Sequence, residues 1–385
     1  MSNKKFSKGL TFLLSIIFLI VGFACGAFAG LYYDRSTNEI FKSDVVYGEG
    51  LEIHFLELGN HYSGDSIYIK CGETDILVDA GSRTNSSETI TNYLNKQMPD
   101  DVLEFVIVTH ADRDHIAAFA GDGTNASLFD NFEVETIIDF PKTNKVGSKE
   151  TEILRDYYAK RDAEVASGAE HYTALECYNN QNGAKRSYEI GKNTTLNILY
   201  NYYYENTSSD ENNYSVCFQI EEGDNKYLFT GDLEEKGEEY LVEYNELSKV
   251  KLFKAGHHGS KTSSNDILLN IIQPEYCVVT CVAGSVEYAK VYLENTFPTQ
   301  DFINRISKWT KNVYVTTYAT IEENGIDAET GLTKYKDTGE YFSLNGNIVF
   351  KSLNGKFEVE CSNSNTVLKD TAWFLENRQM PANWA

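Results

Sequence analysis

Between Val106 and Ala120 the chain reads VIVTHADRDHIAAFA. An apolar, β-branched run stops at His110, and Asp112, Asp114 and His115 follow within six positions. Neutral imidazoles and ionised carboxylates are costly to crowd together unless they share a cation. A single aspartate there would be an ordinary helix N-cap. Four metal-capable side chains in so short a window point instead to a divalent ion and to the hydrolytic chemistry such an ion supports.

Two more strand ends repeat the pattern. YLFTGDLEE places Asp232 after an apolar run, and LFKAGHHGSKTSS places His257 and His258 after another. Four of the 7 histidines fall in these motifs, whereas His54, His61 and His171 are scattered and read as incidental. Asp79, in ILVDAGS, closes a fourth strand and is placed to support ligands from behind. Ser260, Lys261 and Ser263 have two readings. They receive a substrate anion, with Lys261 as a point charge, or Ser263 or Ser264 caps the following helix.

The elements that must position these residues alternate along the chain. LEIHFLEL, DSIYIKC, TDILVDAG, VLEFVIVTH and FEVETIIDF read as strands. The grammar then repeats with TTLNILYNYYY, NYSVCFQIE, KYLFTGD, VKLFKAGHH, EYCVVTCV and NVYVTTY. SSETITNYLNKQM and SSNDILLNII read as serine-capped helices, and SKETEILRDYYAKRDAEVA as a helix opened by Ser148. LEEKGEEYLVEYN and PTQDFINRISKWT are helical too. Two β-rich halves with interspersed helices predict an α/β (α+β) fold of sheets sandwiched between helical layers. GNIVFKSLNGKFEVEC reads as a hairpin around Asn354-Gly355.

The set THADRDH, GDSIYI, LVDAG, LFTGD and HHGSKTSS resembles the metallo-β-lactamase-fold hydrolases, and more narrowly the hydrolase domain of ComEC-type competence proteins. The resemblance covers roughly residues 50 to 320. It implies a four-layer αββα sandwich with a binuclear site between the sheets. Carried over by motif, His110 and Asp112 face one metal, and Asp114 and His115 the other. Asp232 bridges them, His258 completes the second, and His257 lies beside the substrate. Two divalent cations, zinc or manganese, would hold a water as hydroxide and polarise a phosphoryl or carbonyl group, with Asp114 orienting the nucleophile.

The chain also departs from that pattern. The middle-chain histidine of the family is absent: SSDENNYSVCF offers Asp210, Asn212 and Asn213. Phe297 in ENTFPTQ stands where the subgroup has a histidine before proline. Oxygen-rich ligation at the first metal favours exchangeable occupancy and brings Mn²⁺ or Mg²⁺ beside Zn²⁺. The segment from Ser148 to Gly191 is expected to form a lid or wall over the site.

A net charge of -23 argues against a broad basic surface for nucleic acid. At the N-terminus, Lys4, Lys5 and Lys8 precede an uncharged run, LTFLLSIIFLIVGFACGAFAGLYY. That run is long enough to cross a bilayer with the lysines inside, placing the main domain outside. A signal peptide cleaved near Ala29 is the rival reading. None of the 7 cysteines forms C-x-x-C; Cys277 and Cys281 share a face if YCVVTCV is a strand. The organisation expected is a basic tail at 1–9, an anchor or signal segment at 10–33, a linker at 34–48, the hydrolase domain at 49–350, and a hairpin and tail at 351–385 packed back on it.

The expected function is a membrane-anchored extracellular metal-dependent hydrolase, a phosphodiesterase acting on nucleotides, other small phosphodiesters or a cell-envelope polymer. A ComEC-like DNA nuclease and a non-catalytic metal- or ligand-binding module of the same fold stay open as alternatives.

Overall fold

The computed structural model describes residues 50–285, 292–353 and 356–385. The expected anchor, basic tail and linker, and the Asn354-Gly355 turn, lie outside the described residues. Among the described residues no helix is long and apolar enough to cross a membrane.

Two eight-stranded sheets carry the architecture. The first contains β1 (Leu51–Phe55), β2 (Ile67–Cys71), β3 (Thr74–Val78), β4 (Val102–Ile107), β5 (Glu133–Asp139) and β6 (Glu170–Thr173), with β15 (Ile348–Leu353) and β16 (Lys356–Cys361) added beside β1. The second runs from β7 (Ser187–Gly191) through β8 (Thr194–Ile198), β9 (Phe218–Glu222), β10 (Asn225–Phe229), β11 (Leu252–Lys254), β12 (Tyr276–Ala283) and β13 (Val313–Ile326) to β14 (Thr333–Ser343). Strands β3 to β6 are parallel, and so are β10 to β13. Parallel strands leave their carboxyl ends along one edge, where ligands bind in open α/β sheets. All the motif residues follow such ends.

The sheets face each other. Phe55 of β1 stacks near Phe229 of β10 with centroids 6.4 Å apart, and Phe229 stacks on Phe218 at 4.6 Å. On β12, Val278 points into this inter-sheet core, while Cys277, Val279 and Cys281 join the opposite cluster with Leu268, Ile272, Phe302 and Ile306. The period of two along a strand produces that split. It places Cys277 and Cys281 on one face, as expected from their spacing. Both are reduced, as are the other described cysteines, and burial pushes the Cys281 thiol up to about 12. Helices Asp266–Ile272 and Gln300–Ile306 cover the outer face of the second sheet. Phe119 of helix Arg113–Ala120 packs near Tyr157 of helix Glu152–Ser167 beside the first. Each large side chain so buried stabilises the fold by about 2 kcal/mol.

Several expectations change. Strand β15 pairs with β1 over its full length, because alternate side chains Ile348 and Phe350 belong to the inter-sheet core. A boundary at 350 therefore cuts a strand, and Gly48–Ala385 is one unit. The segment expected as a lid is scaffold: it supplies helix Glu152–Ser167, edge strand β6, helix Ala174–Asn179 and β7. Thr151, not Ser148, caps the first of these, accepting from Leu154 N at 3.3 Å. Serine caps fail at the other two helices, where Asn85 and Asn265 hold the cap positions without side-chain bonds. NVYVTTY is only the start of β13, which extends to Ile326 and forms a long antiparallel arm with β14.

Candidate metal centre

Strand β3 ends at Val78, and Asp79 turns the chain with φ 56°, a left-handed value that costs a non-glycine residue roughly 1–3 kcal/mol. Its carboxylate is consequently held inward. It accepts from Thr109 N at 2.8 Å, from Thr109 Oγ1 at 2.7 Å, and from His115 Nδ1 at 2.7 Å. That last bond leaves His115 Nε2 pointing at Asp232 Oδ2, 3.1 Å away.

His258 is oriented by the same logic. Its Nδ1 donates to the carbonyl of Thr280 at 2.8 Å, an acceptor that cannot donate in return. Nε2 is thereby freed toward Asp114 Oδ2 and Asp232 Oδ2, both at 3.2 Å. His257 and His258 take left-handed backbone in succession, with φ 46° and 53°. This turns the two rings to different sides of the loop: His258 is buried, and His257 reaches the cleft.

Ligand atoms of Asp114, His115, Asp232 and His258 thus all lie within 4.8 Å of one another. Two imidazole Nε2 atoms and two carboxylates converging, each imidazole held by a bond from its other nitrogen, fit a single divalent ion. Asp232 is carried by Gly231, whose φ of 54° and close approach to Ser215 Oγ, 2.7 Å from an added Cβ, admit only glycine in the TGD turn.

Electrostatics supports the same reading. Burial would lower the pKa of His115, but Asp232 and Asp79 outweigh it and hold it well above the ordinary value. Burial is likewise overcome at His258 by Asp232 and Asp65. Asp232 is held well below the carboxylate range: burial opposes this, and His258, His115 and Lys254 prevail. The buried acids demand positive charge, which protons supply until a cation displaces them.

The second expected position is built differently. His110 Nε2 is buried without a hydrogen-bond partner and lies 3.4 Å from Asp112 Oδ2. Asp112 does not cap the helix that it precedes; its carboxylate pairs with the Lys145 ammonium. Neither His110 nor Asp112 joins a convergent ligand group among the described residues. A divalent ion does not fit there as the residues stand.

Beside the cluster opens a cleft of about 730 Å³ lined by Tyr62, Arg83, Arg113, Asp114, His257 and Phe297 among others. Asp337 to Gly339 of the β13–β14 arm form a further wall, in place of the expected lid. The Arg83 guanidinium lies 3.5 Å from the centroid of the Tyr62 ring.

Residues 210–280 match the profile described as Metallo-beta-lactamase superfamily. Competence protein ComA of Neisseria gonorrhoeae is 38% identical over 103 residues, 26% of this chain and 14% of ComA. Over residues 210–280 the chain is thus similar to the metallo-β-lactamase superfamily. ComE operon protein 3 of Bacillus subtilis is 24% identical over 265 residues, 63% of this chain and 29% of that protein. The match thus spans less than a third of either competence protein. The metallo-beta-lactamase fold protein YhfI from Bacillus subtilis aligns with a TM-score of 0.41 at 10% identity, covering 75% of this chain and 100% of YhfI.

In this metallo-β-lactamase relative, the structure does not bring Ser260, Lys261 and Ser263 onto the cleft. Ser260 and Ser263 are fully buried, and Lys261 Nζ donates to Asn295 Oδ1 at 2.8 Å. Neither serine reading holds for the capping role, since Ser264 Oγ accepts instead from Gly256 N at 3.0 Å and shapes the histidine loop.

Several residues escaped the sequence, Arg83 and Arg113 of the cleft among them. Asp65 and Lys254, both buried, form an ion pair behind the cluster, and Lys254 Nζ also lies 3.3 Å from Asp232 Oδ1. The signal was present in GDSIYI, where a charge precedes an apolar strand, and in LFKAGHH, where one ends it. Lys145 and Glu211 carried none, because both sit in polar loops of ordinary composition.

Proposed function

We propose that this hydrolase relative cleaves phosphodiesters with a divalent cation, zinc or manganese, held by Asp114, His115, Asp232 and His258. One observation carries the reading: Asp114 belongs both to the convergent cluster and to a cleft bearing two arginines. Arg83, which donates to Ser82 O and lies over the Tyr62 ring, and the exposed Arg113 both line the cleft, where they can meet an anionic substrate. Planar guanidinium groups match phosphate oxygens in pairs.

A cation bound in the cluster supplies Lewis-acid charge at the phosphoryl group and makes a nearby water easier to deprotonate. The residues supply the rest. Asp114 is the most exposed ligand, with about a third of its side chain open, so it can hold the attacking water by accepting its proton. Burial would raise its carboxyl pKa, but His258 and His115 hold it low and keep it an acceptor. His257 faces the cleft with Nδ1 3.5 Å from Glu234 Oε1 and 3.4 Å from Asn212 Nδ2. These contacts orient the ring, which places His257 to donate to the departing oxygen. Phe297, with its ring centroid 6.1 Å from that of His257, keeps water from that side.

The apolar run at 10–33 supports a main domain tethered outside a membrane. Substrates of the phosphodiester class, nucleotide or envelope polymer, fit that placement. The resemblance of the motif set to ComEC-type domains supports a second reading, a DNA nuclease, against which the charge of -23 weighs.

The test uses the full chain in detergent, stripped and reloaded with Mn²⁺ or Zn²⁺, on bis(p-nitrophenyl) phosphate. Turnover that returns with metal and is lost in the Asp114→Ala, His115→Ala double variant supports the reading. Bound metal without cleavage of this ester or of single-stranded DNA turns the site into a binding module.

A further inference from the structure

We infer that Lys145 is a tethered cation standing in place of a second metal, so that the centre holds one divalent ion rather than two. The inference rests on the reading of Asp114, His115, Asp232 and His258 as the metal cluster.

The Lys145 side chain is mostly buried and lies against the opening motif. Its ammonium pairs with Asp112 and donates to the carbonyl of Ala111 at 2.8 Å. Both acceptors lie in the stretch that would otherwise serve an ion shared with His110.

The loop that delivers Lys145 is fixed rather than loose. Glu211, buried against the motif, uses Oε2 to accept from Thr143 Oγ1 and from Asn144 N, each at 2.8 Å. Its Oε1 accepts from Ala111 N at 3.3 Å. A single carboxylate thereby ties the lysine loop to the metal motif. Asn144 Nδ2 adds a bond to Ser209 O at 3.0 Å, and Thr143 Oγ1 accepts from Lys145 N at 3.0 Å.

The same contacts remove the ligands that a second ion would need. Glu211 lies in the segment where the missing histidine was sought, and both its oxygens are engaged. Asn212 Nδ2 faces Glu234 and His257 instead. His110 Nε2 and Asp112 alone remain, and Asp112 is already neutralised by an ammonium. Two donors, one of them already carrying an ammonium on its other oxygen, make a poor site for a divalent ion, which takes four or more ligands.

Cobalt(II) titration of the stripped full chain in detergent tests this, because d–d absorption reports coordination independently of turnover. One equivalent should saturate the wild type. Lys145→Ala should take up a second, weaker equivalent, as His110, Asp112 and the freed Ala111 carbonyl come to share an ion whose shell water completes, whereas Lys145→Arg, which keeps the charge, should stay at one. Two equivalents in the wild type, or one in Lys145→Ala with a native circular dichroism spectrum, would overturn the inference and leave the proposed function standing. No cobalt in the wild type, with that same spectrum, would overturn both by removing the cluster on which they rest.

Discussion

His115 Nδ1 lies 2.7 Å from Asp79 Oδ2, and this bond decides which nitrogen of His115 faces the metal cluster. Asp79 is not among the residues lining the cleft beside Asp114, yet it sets the geometry of a ligand. Replacing it by asparagine keeps the volume and removes the charge. We expect Asp79→Asn to remain folded and to bind metal about 10–100-fold more weakly. Competition titration against a chelating dye reads the change; unaltered affinity would deny Asp79 an orienting role.

Lys254 pairs with both Asp65 and Asp232, two carboxylates that His115 and His258 also approach. Lys254→Met fills the same space and removes the ammonium that the two buried carboxylates share. The metal-free protein should lose about 3–5 kcal/mol, measured by urea unfolding. A loss below about 1 kcal/mol, the range of exposed ion pairs, would mean that the two acids find other compensation.

Glu238 gives the pH dependence. Burial pushes its carboxyl up to about 7 although it accepts from Ser264 N, Asn265 N and Asn265 Nδ2. The folded pKa is raised, so folding takes up a proton. The contribution is therefore complete below the ordinary value of 4.5 and is lost as pH rises through about 7. The full span is worth about 3 kcal/mol. Glu238→Gln should flatten urea midpoints between pH 5 and pH 8, where the parent chain declines. A parent curve already flat in that window would show that this group does not titrate there.

Arg83 and Arg113 predict how substrate is held. Each single alanine variant should raise KM for bis(p-nitrophenyl) phosphate about tenfold, the ~1.4 kcal/mol of a charge-assisted bond, with metal content unchanged. An effect on kcat alone would place the arginines at the transition state instead of at binding.

Much of the centre was legible in the chain. His110, Asp112, Asp114, His115, Asp232 and His258 each follow an apolar strand, and the period of the pattern shows where a strand must end. Asp79 was legible for the same reason. Glu211 and Lys145 were not, because a glutamate and a lysine in polar loops look like solvated surface until the fold brings position 211 against 111 and 143. The long β13–β14 arm was hidden as well: past Tyr318 its strands are mostly exposed, so no apolar alternation marks them.

Sequence by itself determined the two β-rich halves, the strand ends and the ligand types, since these follow from local alternation and from the chemistry of side chains. Tertiary structure alone decided which ligands meet. Four of the six expected ligands converge on one point; of the other two, Asp112 is claimed by a lysine from another loop and His110 joins no convergent group among the described residues. Strand pairing across the sheets and the folding of that loop onto Glu211 set those distances. Both are contacts between residues far apart in the chain, which no local pattern encodes.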